Sequence, residues 1–366
     1  MQVTGVNAQL RESHQILDKV AETFANSAKW HIASSAVNSV TRSIEQAWGY
    51  TKALNSSLND IRIVTGKSAE EMANFAVQAN DAAKSLGKTT TDYTNAALIY
   101  AQQGLSDAEI EERAKITLKA ANVTGQSTDA VSEQLTAVWN GYKVTAEEAE
   151  LYVDRLAAVA ATSASNLEEL STGMSKVASA AAAMGVGEDK LAAQLATIIS
   201  VTRQAPESVG TALRTIYARI SDIQAGIDEE GVTLGRYSGK MASMGIDVLD
   251  VNGKLRDMGD VMEEIGAKWD TMTREQQVYL AQTMAGQRQY NNLLALFDNF
   301  EQYNKELAIA QGAAGTLQEQ QDIYMESTAA HLKVLKASVE GIYDSLADTD
   351  TIDGLIDALS KGATLI

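Results

Sequence analysis

Two short stretches end as a phosphate-binding loop ends. Gly66-Lys67-Ser68 and Gly87-Lys88-Thr89 both supply Gly-Lys-Ser/Thr. In a working G-x-x-x-x-G-K-[ST] loop the backbone N–H groups cradle phosphates, the lysine reaches them, and the first glycine lets the chain close around them. Here that first position holds Ile61 and Ala82. The residues read instead as punctuation, with glycine ending one helix and Ser or Thr starting the next. Ser85-x-x-Lys88 copies the spacing of a serine-nucleophile box, but no Ser-Asp-Asn or Lys-Thr-Gly accompanies it. The run GVGEDK (Gly185–Lys190) lacks the third glycine of a dinucleotide loop and follows an alanine-rich helical run rather than a strand. Val248–Gly259 sets Asp250, Asn252 and Gly253 where a calcium loop has its third, fifth and sixth residues. The first and twelfth positions are Val248 and Gly259, so the decisive carboxylates are missing. His14, His31 and His331 are far apart and none forms His-Glu-x-x-His. Carboxylates are plentiful, but without a signature none is assigned as acid or base. No catalytic, cofactor-binding or metal-ligating residue is assigned, no cofactor is implied, and the chain reads as non-enzymatic.

One dense polar cluster remains: Gln287, Arg288, Gln289, Tyr290, Asn291 and Asn292. It suits a contact surface. It suits a solvated turn at a helix start better, because such side chains compete for local backbone groups.

The elements that would position any site are helices. Only one proline, Pro206, occurs in 366 residues. Proline is tolerated at the first turn of a helix, where its missing N–H has no partner, and costs about 3 kcal/mol or more inside one. After Pro206, the residues Val209, Leu213, Ile216, Ile220 and Ile223 form a stripe of helical spacing. Hydrophobic residues make up 45% of the chain but aromatics only 5%, so the core is expected to consist of small and aliphatic side chains that favour close helix packing. The formal charge is −18 and no Lys/Arg run appears, which disfavours nucleic-acid binding. Absence of cysteine removes disulfides, thiolate metal sites and thiol nucleophiles. MQVTGVNAQLRESHQ lacks a signal-peptide core, and no run of about 18 uncharged apolar residues suggests a membrane span. The alanine-rich run Val177–Gly187 reads as a buried helix.

Capping boxes, in which a Ser/Thr and a Glu/Gln three residues on satisfy each other's backbone N–H, are expected at Ser68/Glu71, Ser106/Glu109, Thr145/Glu148, Ser165/Glu168 and Thr273/Gln276. Glycine stops are expected at Gly87, Gly104, Gly125, Gly141 and Gly185. The fold class is therefore all-α: an elongated array of short and long helices with one small Gly-rich β-hairpin insertion near residues 226–260, its turn at Asn252-Gly253. Four zones are expected. Residues 1–60 hold long helices, with Leu17, Val20 and Phe24 on one stripe. Residues 61–225 form a compact helical core array, 226–260 the Gly-rich insertion, and 261–366 the C-terminal helices. The last long helix carries Leu335, Val339, Ile342 and Leu346 in a heptad-like stripe that favours self-association. The ending GLIDALSKGATLI shows no helix cap, so the chain is expected to continue downstream.

Four blocks taken in order go beyond composition: LNDIRIVTGKSAEEM (58–72), QQGLSDAEIEERAKITLKAANVTGQSTDAVSEQLTAVWNGY (102–142), TRQAPESVGTALRTIYARI (202–220) and AKWDTMTREQQVYLAQTMAGQRQYNNLLALFDNF (267–300). Together they resemble the core region of tail tape measure proteins from long-tailed bacteriophages or prophages, over roughly residues 50–345. The resemblance implies a helical scaffold in the lumen of the virion tail tube, made in the host cytoplasm during assembly. It implies that the protein sets tail length and leaves ahead of the DNA at infection. It also implies a homo-oligomer, trimer or hexamer by family analogy, with the tail tube protein, tail assembly chaperones and distal tail or hub proteins as partners, and possible contact with the host membrane at infection. The alternative is a phage-carried envelope-active protein, pore-forming or peptidoglycan-degrading, acting during DNA entry. Its motive is the alanine-rich run and the scattered carboxylates. Some relatives carry peptidoglycan-cleaving domains, but no residue here matches such an activity.

Overall fold

The computed structural model describes residues 54, 56–225, 239, 241–252 and 254–344. The stripe Leu17/Val20/Phe24, His14, His31 and Leu346 lie outside these residues, as does most of the glycine-rich stretch after Ala225.

Helix follows helix. Residues 56–65 (α1) are helical, followed by α2 (Ala69–Ser85), α3 (Thr90–Gln102), α4 (Asp107–Thr124), α5 (Thr128–Tyr142), α6 (Ala146–Thr162), α7 (Leu167–Ala183), α8 (Glu188–Thr202) and α9 (Pro206–Ala225). Beyond the glycine-rich stretch come α10 (Met258–Lys268), a 3₁₀ turn (Trp269–Thr271), α11 (Arg274–Phe297), α12 (Phe300–Gln311), α13 (Thr316–Met325) and α14 (Thr328–Asp344). The all-α class is as expected.

Pro206 is the first residue of α9. The carbonyl of Ala205 just before it accepts from Ser208 and Val209 N–H at 2.9 and 3.2 Å. Val209, Leu213, Ile216 and Ile220 are all fully buried, so these four positions of the stripe form the packing face; the side chain of Ile223 lies outside the described residues.

The helix starts follow the capping chemistry with one change of register. Ser68 and Glu71 exchange bonds at 2.7 and 3.2 Å. Ser106 and Glu109 do so at 2.8 and 3.4 Å, and Thr273 and Gln276 at 2.8 and 3.4 Å. The Glu148 carboxylate accepts from the N–H and hydroxyl of Thr145. At the fourth site the cap is Asn166 with Glu169, bonded at 2.8 and 3.0 Å, not Ser165 with Glu168. The Ser165 hydroxyl is buried and paired with that of Ser163 at 2.6 Å. Starting one residue later places Leu167, Leu170, Met174 and Val177 on the buried face of α7, so burial sets the register. Thr89 and Asp92 make a further box that the Glu/Gln pattern does not include.

Gly87, Gly104, Gly125 and Gly185 end helices with positive φ. Gly141 does not. It lies inside α5, and the left-handed stop is Lys143 at φ 56°. A Cβ at Gly141 would fall 2.8 Å from the Ser179 backbone nitrogen. The residue was selected by the approach of α7, not by a turn.

The expected hairpin is reduced to one antiparallel bridge, Leu249–Leu255, the only sheet-like pairing among the described residues. Asp250 N–H donates to Lys254 C=O at 2.7 Å, so three residues, not the two of a type I′ turn, are looped out. The Asp250 carboxylate supplies the reason, accepting from the N–H groups of Asn252 and Lys254 at 2.8 Å each. A side chain that builds its own Asx turn does not need the primed turn.

The chain divides into two compact units, one of residues 1–119 with 321–366, the other of residues 120–320. In the second, one continuous core draws on α5 to α12, including Leu156, Leu170, Leu191, Ile198, Leu213, Met262, Leu280 and Leu296. In the first, α2 and α3 are joined by α14 from far along the chain, around Met72, Ala79, Tyr93, Ala97, Ala330 and Ala337.

Candidate interaction region

The motif residues serve helix ends. Ser68 and Thr89 are N-caps. Lys67 pairs with Asp107. Lys88 is buried, with burial pulling its pKa below the ordinary lysine value and Asp92 working against that pull. Gly185 closes α7 at φ 72°. Asp250 is committed to its own loop. His331 is exposed at the start of α14, with Nδ1 2.7 Å from the Ser327 carbonyl oxygen. Among the described residues no three His, Asp or Glu side chains gather as a metal site, and no helix is long and apolar enough to cross a membrane. The alanine-rich run buries Val177, Ala178 and Ala181, and Gly141 packs against it at Ala178 and Ser179.

The polar cluster noted in the sequence follows Gly286 directly. It lies on α11, just past a break in the helix at Gly286 (φ 69°, ψ 175°). Gln287, Arg288 and Asn291 are exposed, Gln289 and Tyr290 are half-buried, and Asn292 is buried. Asn292 is tied inward: its Oδ1 accepts from Gln204 Nε2 and its Nδ2 donates to Gln289 Oε1, both at 3.1 Å. Arg219, on α9, donates from Nε to the Thr283 carbonyl at 3.2 Å. One face of the cluster thus anchors the helix and the other, with an amide, a guanidinium and a second amide, faces water.

Two buried polar groups brace this scaffold. Glu188, the first residue of α8, has no exposed side chain and pairs with Arg155 Nη1 at 3.0 Å. Burial pushes its carboxyl up to about 8 against the opposing pull of Arg155. Asp154 accepts from the N–H groups of Gly315 and Leu317 at 2.8 and 2.7 Å, capping α13. In the first unit the Glu340 carboxylate accepts from Thr90 N–H at 2.7 Å. Asn80 donates to the Thr90 hydroxyl and the Ala337 carbonyl, each at 2.7 Å, and Gln321 donates to the Leu86 carbonyl at 3.0 Å. These buried polar residues were not singled out in the sequence. The one available signal is Asn80 among the otherwise apolar buried positions of α2.

The expected stripe of the last helix is only partly exposed to a partner. Leu335 is half-buried, and the seam used within the unit is Ala330, Ala337 and Glu340. The side chains of Val339 and Ile342 lie outside the described residues.

No solved structure matches the chain. The profile of the family described as phage-related minor tail protein matches residues 79–286. That is more than half of the 366 residues, and it runs from α2 to the break in α11. Matched over this length, the chain belongs to the phage-related minor tail protein family.

Proposed function

We propose that this protein is the core part of a tail tape measure protein: a structural, non-enzymatic scaffold inside the tail tube that sets tail length during assembly and leaves ahead of the DNA. The observation that carries the reading is the family match over 79–286, which spans the blocks at 102–142 and 202–220 and part of that at 267–300, the stretches that resemble tape measure cores. The run of capped helices supports it, because a helix packs length into a narrow cross-section at about 1.5 Å per residue. The partners that follow are tube subunits, assembly chaperones and the distal tail or hub proteins, with copies of the chain associating as a trimer or hexamer. The envelope-active alternative gains no observation, since close packing of α7 on Gly141 accounts for the alanine-rich run that motivated it.

The test is tail length in the parent phage. Gly66, between α1 and α2, is exposed, and a Cβ added there would meet nothing within 4 Å, so an insertion at this point meets no packed neighbour at its own site. Inserting about 36 helix-forming residues should lengthen tails by up to about 54 Å in electron micrographs. Tails of unchanged length, from infectious particles, would count against a ruler role for this region. Normal tails with failed infection would favour the envelope-active reading.

A further inference from the structure

Helix α11 turns at a single residue. Gly286 holds φ 69° and ψ 175°, a region open essentially to glycine alone. In an unbroken helix the Thr283 carbonyl would accept from the N–H of residue 287. The dihedrals of Gly286 turn the following peptide unit, and the Nε of Arg219 donates to that carbonyl at 3.2 Å. The Arg219 guanidinium also lies 3.6 Å from where a Cβ of residue 286 would sit.

The apolar pattern changes phase at the same place. Before it, Leu280, Ala281, Met284 and Ala285 are buried; after it, Leu293, Leu296 and Phe297. At about 100° per residue the two sets would point about 140° apart on a straight helix. No straight α11 could bury both against one wall, and the turn at Gly286 re-aims the second set. The far half is then held to the loop before α9 through Asn292 and Gln204.

We propose that Gly286 is a two-position joint and Arg219 is its latch. In the bent position Arg219 holds the Thr283 carbonyl. In the straight position the Gln287 N–H takes that carbonyl, Arg219 lets go, and residues 287–297 swing off the core as a continuation of 274–285. One hydrogen bond replaces another. The balance is therefore set by burial of the second apolar set and by the conformational freedom of residue 286, both within reach of a binding partner.

The chain has no cysteine, so a Glu275→Cys/Asn291→Cys pair, at two exposed positions of α11, labels uniquely in the otherwise intact protein. Spin-label distances then read the joint, a straight helix placing these Cα atoms about 24 Å apart. The parent pair should show a shorter main distance. Arg219→Ala should raise the 24 Å population about tenfold, the change that one hydrogen bond's free energy makes. Arg219→Lys should recover part of the bent state, and Gly286→Ala should favour the straight state most. A distance distribution unchanged by Arg219→Ala overturns the proposal, and that variant decides alone if Gly286→Ala does not fold.

Discussion

Helix α9 crosses α7 in the second unit with almost nothing between them. A Cβ on Gly210 would lie 2.2 Å from the Gly173 carbonyl oxygen. The returning segment of the first unit is held in another way. Glu340 and Gln321 reach backbone groups at the start of α3 and the end of α2, and Asn80 of α2 donates to the Ala337 carbonyl of α14. The first contact rests on the absence of side chains and on dispersion between close backbones. The second rests on polar side chains that hydrogen-bond backbone groups across the packed helices, two of them at helix termini. The difference teaches which perturbations each tolerates: added volume breaks the crossing, and loss of an acceptor breaks the clasp.

The largest effect should come from Gly210→Ala. The atom met is backbone and has no flexible end to retreat, so overpacking should cost roughly 3 kcal/mol. Urea unfolding followed by the buried Trp139 and Trp269, both in the second unit, measures it. An unchanged midpoint would mean the crossing is looser than its geometry.

Next comes Glu340→Ala, which leaves the Thr90 N–H buried without an acceptor. The expected cost is about 2 kcal/mol, read locally as faster hydrogen exchange at the Thr90 amide. Glu340→Gln keeps an acceptor and should cost less. The same pair of variants checks a pH effect. Burial raises the Glu340 carboxyl above its ordinary value, against the Thr90 hydrogen bond. A raised folded-state pKa means the folded protein holds its proton where the unfolded chain has lost it. This contribution to stability is therefore fully present below the ordinary value of 4.5 and falls as pH rises from there through the raised one. Glu340→Gln should flatten that fall.

The smallest effect sharpens the question of register. Asn166→Ala should cost about 1 kcal/mol, as removing an N-cap does. Ser165→Ala should leave the α7 start intact, because the Ser165 hydroxyl bonds Ser163 and not the helix. Equal losses from both would restore the register expected from the Ser-x-x-Glu pattern.

Much of the fold was legible in the sequence because helix chemistry is local. A lone proline, caps at Ser68, Ser106, Thr145 and Thr273, and stops at Gly87, Gly104, Gly125 and Gly185 act within a few residues of where they are read. The stripe after Pro206 was legible because its period is the helix's own. Gly141 was not, since a glycine required by a neighbouring helix looks the same as one required by a turn. The turn at Asn252-Gly253 misled because Asp250, two residues earlier, satisfies the loop's N–H groups itself. In the polar cluster, the sequence showed which donors were present but not that Asn292 turns inward while Gln287, Arg288 and Asn291 face water.

The sequence by itself therefore determined the helical class, most helix ends, the buried face of α9 and, through four blocks of residues, the kinship with phage tail proteins. Tertiary structure alone decided that residues after 320 return to α2 and α3, that Glu340 caps α3, that Gly173 and Gly210 touch, and that α11 turns at Gly286. The physical reason is distance along the chain. A cap or a stripe is specified by residues a turn or two apart, whereas a close crossing or a borrowed acceptor depends on partners that only the folded chain brings together.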